Sequence, residues 1–223
     1  MSAYARYAVY VVPQGDLGAA WLGWDVGEGG EVAQADGLDL DLPVLTQTPR
    51  RYGFHGTVMA PFQMREGATL EELRQAFAQL CSGIAAVRCG DLEVVALGRF
   101  VALIPQSGVA DLRAMAAQVV EGLDQWRAPL PAAEFERRNR PGLSDVQRGY
   151  LQRWGYPHVM EAYRFHMTLT GRIPKAEVER VVEGARDYFA PLLADPMRID
   201  DLALVGQRPD GRFEVIARCA LQG

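Results

Sequence analysis

The sequence predicts an α+β fold of two related lobes, each an antiparallel sheet with helices on its outer face, around a central cleft. Three observations predict it. The strand-like segment "RYGFHGTVMAPF" (51–62) shares a His-x-Thr-apolar pattern with "YRFHMTLTGRI" (163–173). Each segment is followed by one amphipathic helix and then by two apolar strands. Asp91-Leu92 trails His55, and Asp201-Leu202 trails His166, by nearly the same interval. A repeat of this size weighs more than any single motif.

The elements follow in order. "RYAVYVV" (6–12) is β-branched and aromatic and stops at Pro13 and Gly15, so it reads as the first strand. Residues 25–43 are rich in Gly and Asp and read as loop with at most a short strand. The His55 strand comes next. Thr69-Leu-Glu-Glu72 forms a capping box, and Leu70, Leu73, Phe77 and Leu80 give its helix one apolar face. "DLEVVALGRFVALIP" (91–105) reads as two strands around Gly98, and Leu112, Met115, Val119, Leu123 and Trp126 mark a further helix. The texture changes over 128–157, which is rich in proline and arginine. It reads as a connection with helices of its own, one of them capped by Ser144 and ending near Gly155. After the His166 strand, Pro174 opens a helix with Val178, Val181, Val182, Ala185 and Phe189 inward. Two strands around Arg208-Pro-Asp-Gly211 complete the chain. The expectation is one bilobal domain over 1–223, with a first half at 1–127, the connection at 128–157 and a second half at 158–223.

Composition narrows the function. Of 223 residues, 49% are hydrophobic and 23% charged, and the formal net charge is −5. That suits a soluble globular protein and disfavours long nucleic acid, which needs a broad basic face. Cys81, Cys89 and Cys219 are an odd number without a C-x-x-C, against a disulfide framework or a cysteine zinc site. The N-terminus lacks a signal-peptide pattern, and no stretch approaches the ~20 apolar residues of a membrane span. The expected setting is the cytoplasm, with no membrane partner.

The two motifs carry the chemistry. In a strand, residues i and i+2 share a face, so His55 projects with Thr57, and Arg164 with His166, Thr168 and Thr170. Two imidazoles can supply the base that activates water and the acid that protonates a departing alkoxide. Hydroxyls beside them can hydrogen-bond the non-bridging oxygens of a phosphodiester without a metal. The chain has only six threonines and three histidines. Two His-x-Thr pairs at matching points of a repeat are therefore hard to obtain by accident, whereas one alone reads as a structural histidine. His158 lacks the threonine and is assigned no catalytic role.

Neighbours of the motifs are weaker candidates. Arg51 and Tyr52 flank the first motif, and Arg51 has the strand parity of His55. Arg164 could meet a phosphate or form a rim ion pair. Arg6 and Tyr10 alternate onto one face of the first strand. Trp154, Gly155, Tyr156 and Pro157 could wall the cleft or pack under a loop. Arg137, Arg138 and Arg140 could meet a second substrate phosphate, although a charged helix face is the commoner explanation.

Two H-x-T-apolar strands, one per half, resemble the 2H phosphoesterase superfamily. "ARYAVYVVP", "RRYGFHGTVMAPF" and "LQRWGYPHVMEAYRFHMTLTGRI", with the arginine-rich connection, resemble its phosphonate-metabolism branch, which is associated with carbon–phosphorus lyase systems. The resemblance spans essentially the whole chain. It implies a bilobal fold and cofactor-free, metal-independent catalysis by His55 and His166. Thr57 and Thr168, with Arg164, Tyr52 and Arg51, are then expected to bind substrate. Val58 and Leu169 stand where some members carry a further hydroxyl. The implied reaction opens a small cyclic phosphate on ribose, in the branch a 5-phosphoribosyl 1,2-cyclic phosphate-like compound. A nucleoside 2′,3′-cyclic phosphate, a 2′–5′ RNA end-processing or ligase-like role, and a non-catalytic phosphate- or nucleotide-binding module are the alternatives.

Overall fold

The structure is a computed structural model that describes residues 4–223. Strand β1 (Arg6–Val11) alternates as its sequence demands. Tyr7, Val9 and Val11 enter the main core, while Ala8 and Tyr10 enter a smaller cluster on the opposite face. The chain then forms α1 (Leu17–Leu22), the short strands β2 (Trp24–Asp25) and β3 (Gly30–Glu31), and α2 (Leu42–Leu45) before β4 (Gly56–Phe62). Helix α3 (Leu70–Ser82) starts at the expected capping box, with Thr69 and Glu72 bonded reciprocally. Strands β5 (Val87–Gly90), β6 (Leu92–Leu97) and β7 (Phe100–Pro105) follow. The connection to the second motif carries α4 (Val109–Leu123), α5 (Ala132–Arg138) and α6 (Asp145–Trp154), the last capped by Ser144. Strand β8 (Met167–Thr168), α7 (Val178–Tyr188), α8 (Ala190–Leu193), β9 (Met197–Ile199), β10 (Asp201–Gln207) and β11 (Phe213–Ala220) complete the fold.

Seven strands form one antiparallel sheet in the order β11-β10-β1-β4-β8-β7-β6. The two lobes meet at its centre through a single pair, Gly56 opposite Met167. Gly56 follows His55 and Met167 follows His166, so the join falls on equivalent residues of the repeat. β5 and β9, the next equivalent strands, also pair with each other, antiparallel. Both contacts are what a two-fold relation between repeats requires. Helices α3, α4 and α7 cover one face with a continuous core that includes Leu73, Phe77, Val119, Val181 and Phe189.

The strand order divides the chain differently from the sequence expectation. Each motif strand has one inner neighbour that precedes it in the chain, β1 beside β4 and β7 beside β8. Each lobe's next strand comes from the other repeat, β10 beside β1 and β6 beside β7. The repeat is thus strand, His strand, helix, short strand, exchanged strand, and its boundary is the turn around Gly98. The arginine-rich segment lies inside the second repeat, where α1, β2, β3 and α2 lie inside the first. A contiguous reading of 1–127 and 158–223 misses this because the β6–β7 hairpin is continuous in sequence while its strands belong to different repeats.

Candidate functional site

The two motifs reach the sheet by the same path. Pro49–Arg51 and Met160–Ala162, at the interval that separates His55 from His166, are both 3-10 turns. The histidines then take the same internal bond. Nδ1 of His55 donates to the carbonyl of Gly53 at 2.9 Å, and Nδ1 of His166 donates to the carbonyl of Arg164 at 2.9 Å. A carbonyl oxygen only accepts, so Nδ1 carries the proton in both rings and Nε2 is left for chemistry. Carried one residue either side of Gly56–Met167, the antiparallel register sets His55 across from Thr168 and Thr57 across from His166. The four motif side chains therefore meet on one face, at the seam of the lobes.

The environments of the two rings differ. His55 is buried, with Tyr10 stacked on it at 3.6 Å between ring centroids and 17° between planes, and Tyr52 edge-on at 5.9 Å. Tyr10 is the register partner of Thr57, whereas the register partner of Thr168 is Ala102. A methyl group cannot cover an imidazole. His166 is consequently half-exposed, with the tilted ring of Phe100 5.9 Å away, centroid to centroid. Burial pushes the His55 pKa down from 6.5 to about 4; the bond to Gly53 opposes this, and positive charge on His166 adds to it. His55 is thus neutral near pH 7, and its Nε2 accepts from the Thr57 hydroxyl at 3.0 Å. Among the described residues, no hydrogen-bond partner meets Nε2 of His166 or the Thr168 hydroxyl.

The other predicted residues are placed less uniformly. Tyr52 is at the site, half-buried, with its hydroxyl pKa raised by burial and eased by Arg51. Arg51 lies in the 3-10 turn and is exposed, so the strand parity expected from the sequence does not apply to it. The turn ends at Gly53, whose φ of +69° breaks any strand over 51–55, and a Cβ there would lie 2.6 Å from Val26. The second motif likewise forms a strand only at Met167–Thr168. Arg164 is exposed, and its guanidinium donates to the carbonyls of Glu161 and Tyr163 at 2.9 and 2.8 Å. Thr170 leaves the face that strand parity predicts. It is buried, accepts from the Val101 N–H at 3.0 Å and donates to the Gly171 carbonyl. His158 is exposed beside Gln147 and edge-on to Tyr156.

Other residues that build the site were legible only in a longer pattern. Residues 52–57 and 163–168 both read Tyr-x-Phe-His-x-Thr. The phenylalanines anchor each motif from below: Phe54 and Phe165 are both buried in the main core. Tyr163 donates its hydroxyl to the Thr57 carbonyl at 2.9 Å, tying the second motif to β4. Gly56 has no side chain because the Phe165 ring occupies that volume, 2.3 Å from where a Cβ would stand.

The family described as "Protein of unknown function (DUF1045)" matches residues 57–214. Two curated relatives carry the name "Ribose 1,5-bisphosphate phosphokinase PhnN". The one from Janthinobacterium sp. (strain Marseille) is 35% identical over 218 residues, covering 92% of this chain and 48% of its own length. The one from Laribacter hongkongensis (strain HLHK9) is 33% identical over 204 residues, covering 89% of this chain and 47% of its own. The chain thus spans about half the length of these relatives. Among solved structures, TT0787 of Thermus thermophilus aligns with 98% of each chain at 16% identity and a TM-score of 0.45. E. coli LigT complexed with NADP+ aligns over 100% of each at 13% identity and a TM-score of 0.44. By the extent of its family match, the chain belongs to the DUF1045 family.

Proposed function

We propose that the chain is a two-histidine phosphodiesterase that opens a small cyclic phosphate on ribose to a phosphomonoester. One observation carries the reading: two imidazoles, each with Nδ1–H spent on the carbonyl two residues earlier, flank a single strand pair on a face shared with two threonines. His55 is neutral and takes the base role. Its Nε2 removes a proton from water as the water oxygen bonds to phosphorus. The bond from phosphorus to the ribose oxygen breaks, and His166, entering the step as imidazolium, gives its Nε2 proton to the departing alkoxide while its Nδ1–H stays on the Arg164 carbonyl. Thr57 and Thr168 hydrogen-bond the non-bridging oxygens as charge builds on them. Burial supports this division of roles, since the covered ring is the one that resists protonation before substrate arrives.

The names of the curated relatives point to ribose phosphates, which favours a phosphorylated sugar over an RNA end. Their phosphokinase activity is assigned here to the part of their length that this chain does not span. The chain has one lysine, Lys175, and no G-x-x-x-x-G-K-[ST] segment to cradle a nucleoside triphosphate. A panel of ribose cyclic phosphates and nucleoside 2′,3′-cyclic phosphates, assayed with excess chelator, tests the reading. Turnover of a ribose cyclic phosphate that persists in chelator and falls ~10²–10⁴-fold in both His55→Ala and His166→Ala is expected. Turnover that survives both substitutions, or that requires a metal ion, rules the mechanism out.

A further inference from the structure

The sheet is not equally wide on the two sides of its seam. From β4 outward the first lobe runs β1, β10, β11, while from β8 outward the second runs β7, β6 and stops. β10 and β6 are the exchanged strands of the two repeats, so β11 beside β10 has no counterpart beside β6. The place it would take is open. Among the described residues, no backbone hydrogen bond outside the pairing with β7 reaches residues 92–97. The opposite edge of the sheet is closed. There the Val215 N–H on β11 donates to the Val26 carbonyl at 2.8 Å, and Glu214 and Arg218 are held in ion pairs.

The composition of β6 is that of an interior strand. It reads Leu-Glu-Val-Val-Ala-Leu, without lysine, proline or bulge to blunt the edge and with Glu93 as its one charge. Leu92 and Val94 enter the main core beneath α7. Val95 pairs with Ala102 and Leu97 with Phe100, which sets both on the cleft face, and Ala96 and Leu97 are exposed, Leu97 to 37%. An open edge of this kind is a template for another strand. The sequence of β6 is complementary to itself. Opposed residues must share a face, and the antiparallel self-pairings that meet this and overlap most of the strand are centred on Val94 or on Val95. The first sets Leu97 against Asp91 of the second copy, apolar against charge. The second sets Val95 against Val95, Ala96 against Val94, and Leu97 along the stem of Glu93. It also brings the exposed Asp91 of one copy to the end where the other carries the exposed Arg99. No like charges are opposed in it.

We propose that a second copy of this chain adds its β6 antiparallel to β6, about a two-fold axis at Val95, joining two seven-stranded sheets into one. An axis through an antiparallel strand pair stands normal to the sheet, so both cleft faces look the same way. Leu97 also lines a hollow of about 380 Å³ that reaches Ile104, Val109, Arg164 and His166. The second copy's strand therefore borders the His166 side of each cleft. Pairing over residues 93–97 makes a small interface, which sets this dimer among the weak and concentration-dependent ones.

One cross-strand pair tests the register. Sedimentation velocity is measured on the wild type, Leu97→Glu and the double variant Leu97→Glu/Glu93→Lys at up to ~100 µM, with circular dichroism as the control on folding. Both positions are exposed, so neither change disturbs the core. The wild type is expected to dimerise as its concentration rises. Leu97→Glu opposes carboxylates at both Leu97–Glu93 contacts and should weaken the dimer about tenfold. Adding Glu93→Lys turns each repulsion into an attraction and should restore it. Cross-linking gives a second readout. Val95→Cys should form an intermolecular disulfide in mild oxidant, since opposed Cα atoms lie ~4.5–5.5 Å apart. Leu97→Cys, ~14 Å from its own counterpart, should not. A wild type that stays monomeric at ~100 µM overturns the proposal. So does a dimer indifferent to Leu97→Glu, a double variant no better than Leu97→Glu, or a cross-link through Leu97→Cys in preference to Val95→Cys. Turnover of cyclic phosphates enters neither measurement, so this interface and the phosphodiesterase reading stand or fall separately.

Discussion

Lowering the pH should cost this protein stability through one identifiable group. His55 has a folded-state pKa of about 4 against 6.5 for an unperturbed imidazole, because Tyr10 and the surrounding core exclude water from it. A base whose pKa falls on folding binds its proton more weakly in the folded state, so acid favours the unfolded chain. The contribution is fully present above pH 6.5 and is lost as the pH falls toward 4. The whole span is worth about 3 kcal/mol, of which about 2 kcal/mol is gone by pH 5. Carboxylates also titrate on the way, so the comparison must be with His55→Asn, whose amide can still donate to the Gly53 carbonyl. The assay is denaturant unfolding of both proteins at pH 7.5 and pH 5, with the imidazole resonances followed by NMR. The stability difference between wild type and variant should shift by about 2 kcal/mol in favour of the variant at pH 5. A difference that does not change with pH, or a His55 resonance that titrates near 6.5, refutes the assignment of His55 as a buried neutral base.

Four further outcomes follow from named contacts. Tyr10→Leu removes the ring that covers His55, so the His55 pKa should climb from about 4 back toward 6.5 in the same NMR titration. Gly56→Ala drives a methyl into the Phe165 ring and should destabilise by about 1–3 kcal/mol in denaturant unfolding, with Phe165→Leu restoring part of the loss. Tyr163→Phe deletes the bond to the Thr57 carbonyl and should cost about 1 kcal/mol of stability by the same method. Thr57→Val and Thr168→Val should each lower kcat by ~10–10³-fold on a cyclic phosphate with the fold intact by circular dichroism, and unchanged kcat in both would remove the threonines from the mechanism.

The elements that local chemistry fixes were readable from the residues. The capping boxes at Thr69 and Ser144 start α3 and α6 where expected, and the turn at Gly98 joins two strands as expected. The pairing of the two His-x-Thr motifs was readable too, because a repeated pattern constrains two places at once. What escaped depended on contacts between distant segments. Helix α1 has no signature in the sequence, because its six residues form around the Gly18–Phe54 contact, where a Cβ would lie 1.9 Å from the Phe54 ring. The extent of the motif strands was overread, because alternation over 51–55 persists in the letters while Gly53 turns the backbone away. Alternation puts Tyr10 with Arg6 on one face of β1, yet its stacking on His55 follows only from the β1–β4 register. Arg164 and Thr170 had the right parity and the wrong destination, since parity ends where extended backbone ends.

The exchange of β6 and β10 between lobes has a consequence for how the two histidines came to differ. Two separate copies of one repeat, trading their last strands, would make a symmetric dimer of the same shape, with the seam on its axis. In such a dimer every substitution appears on both sides, and a tyrosine that covers one histidine covers both. Under the proposed mechanism, a covered pair would offer two neutral bases and no ready acid. With both repeats in one chain, Tyr10 can stand beside Thr57 while Ala102 stands beside Thr168. Covalent linkage thereby releases the site from symmetry, and a division of labour between two identical side chains becomes available to a fold that otherwise treats them alike.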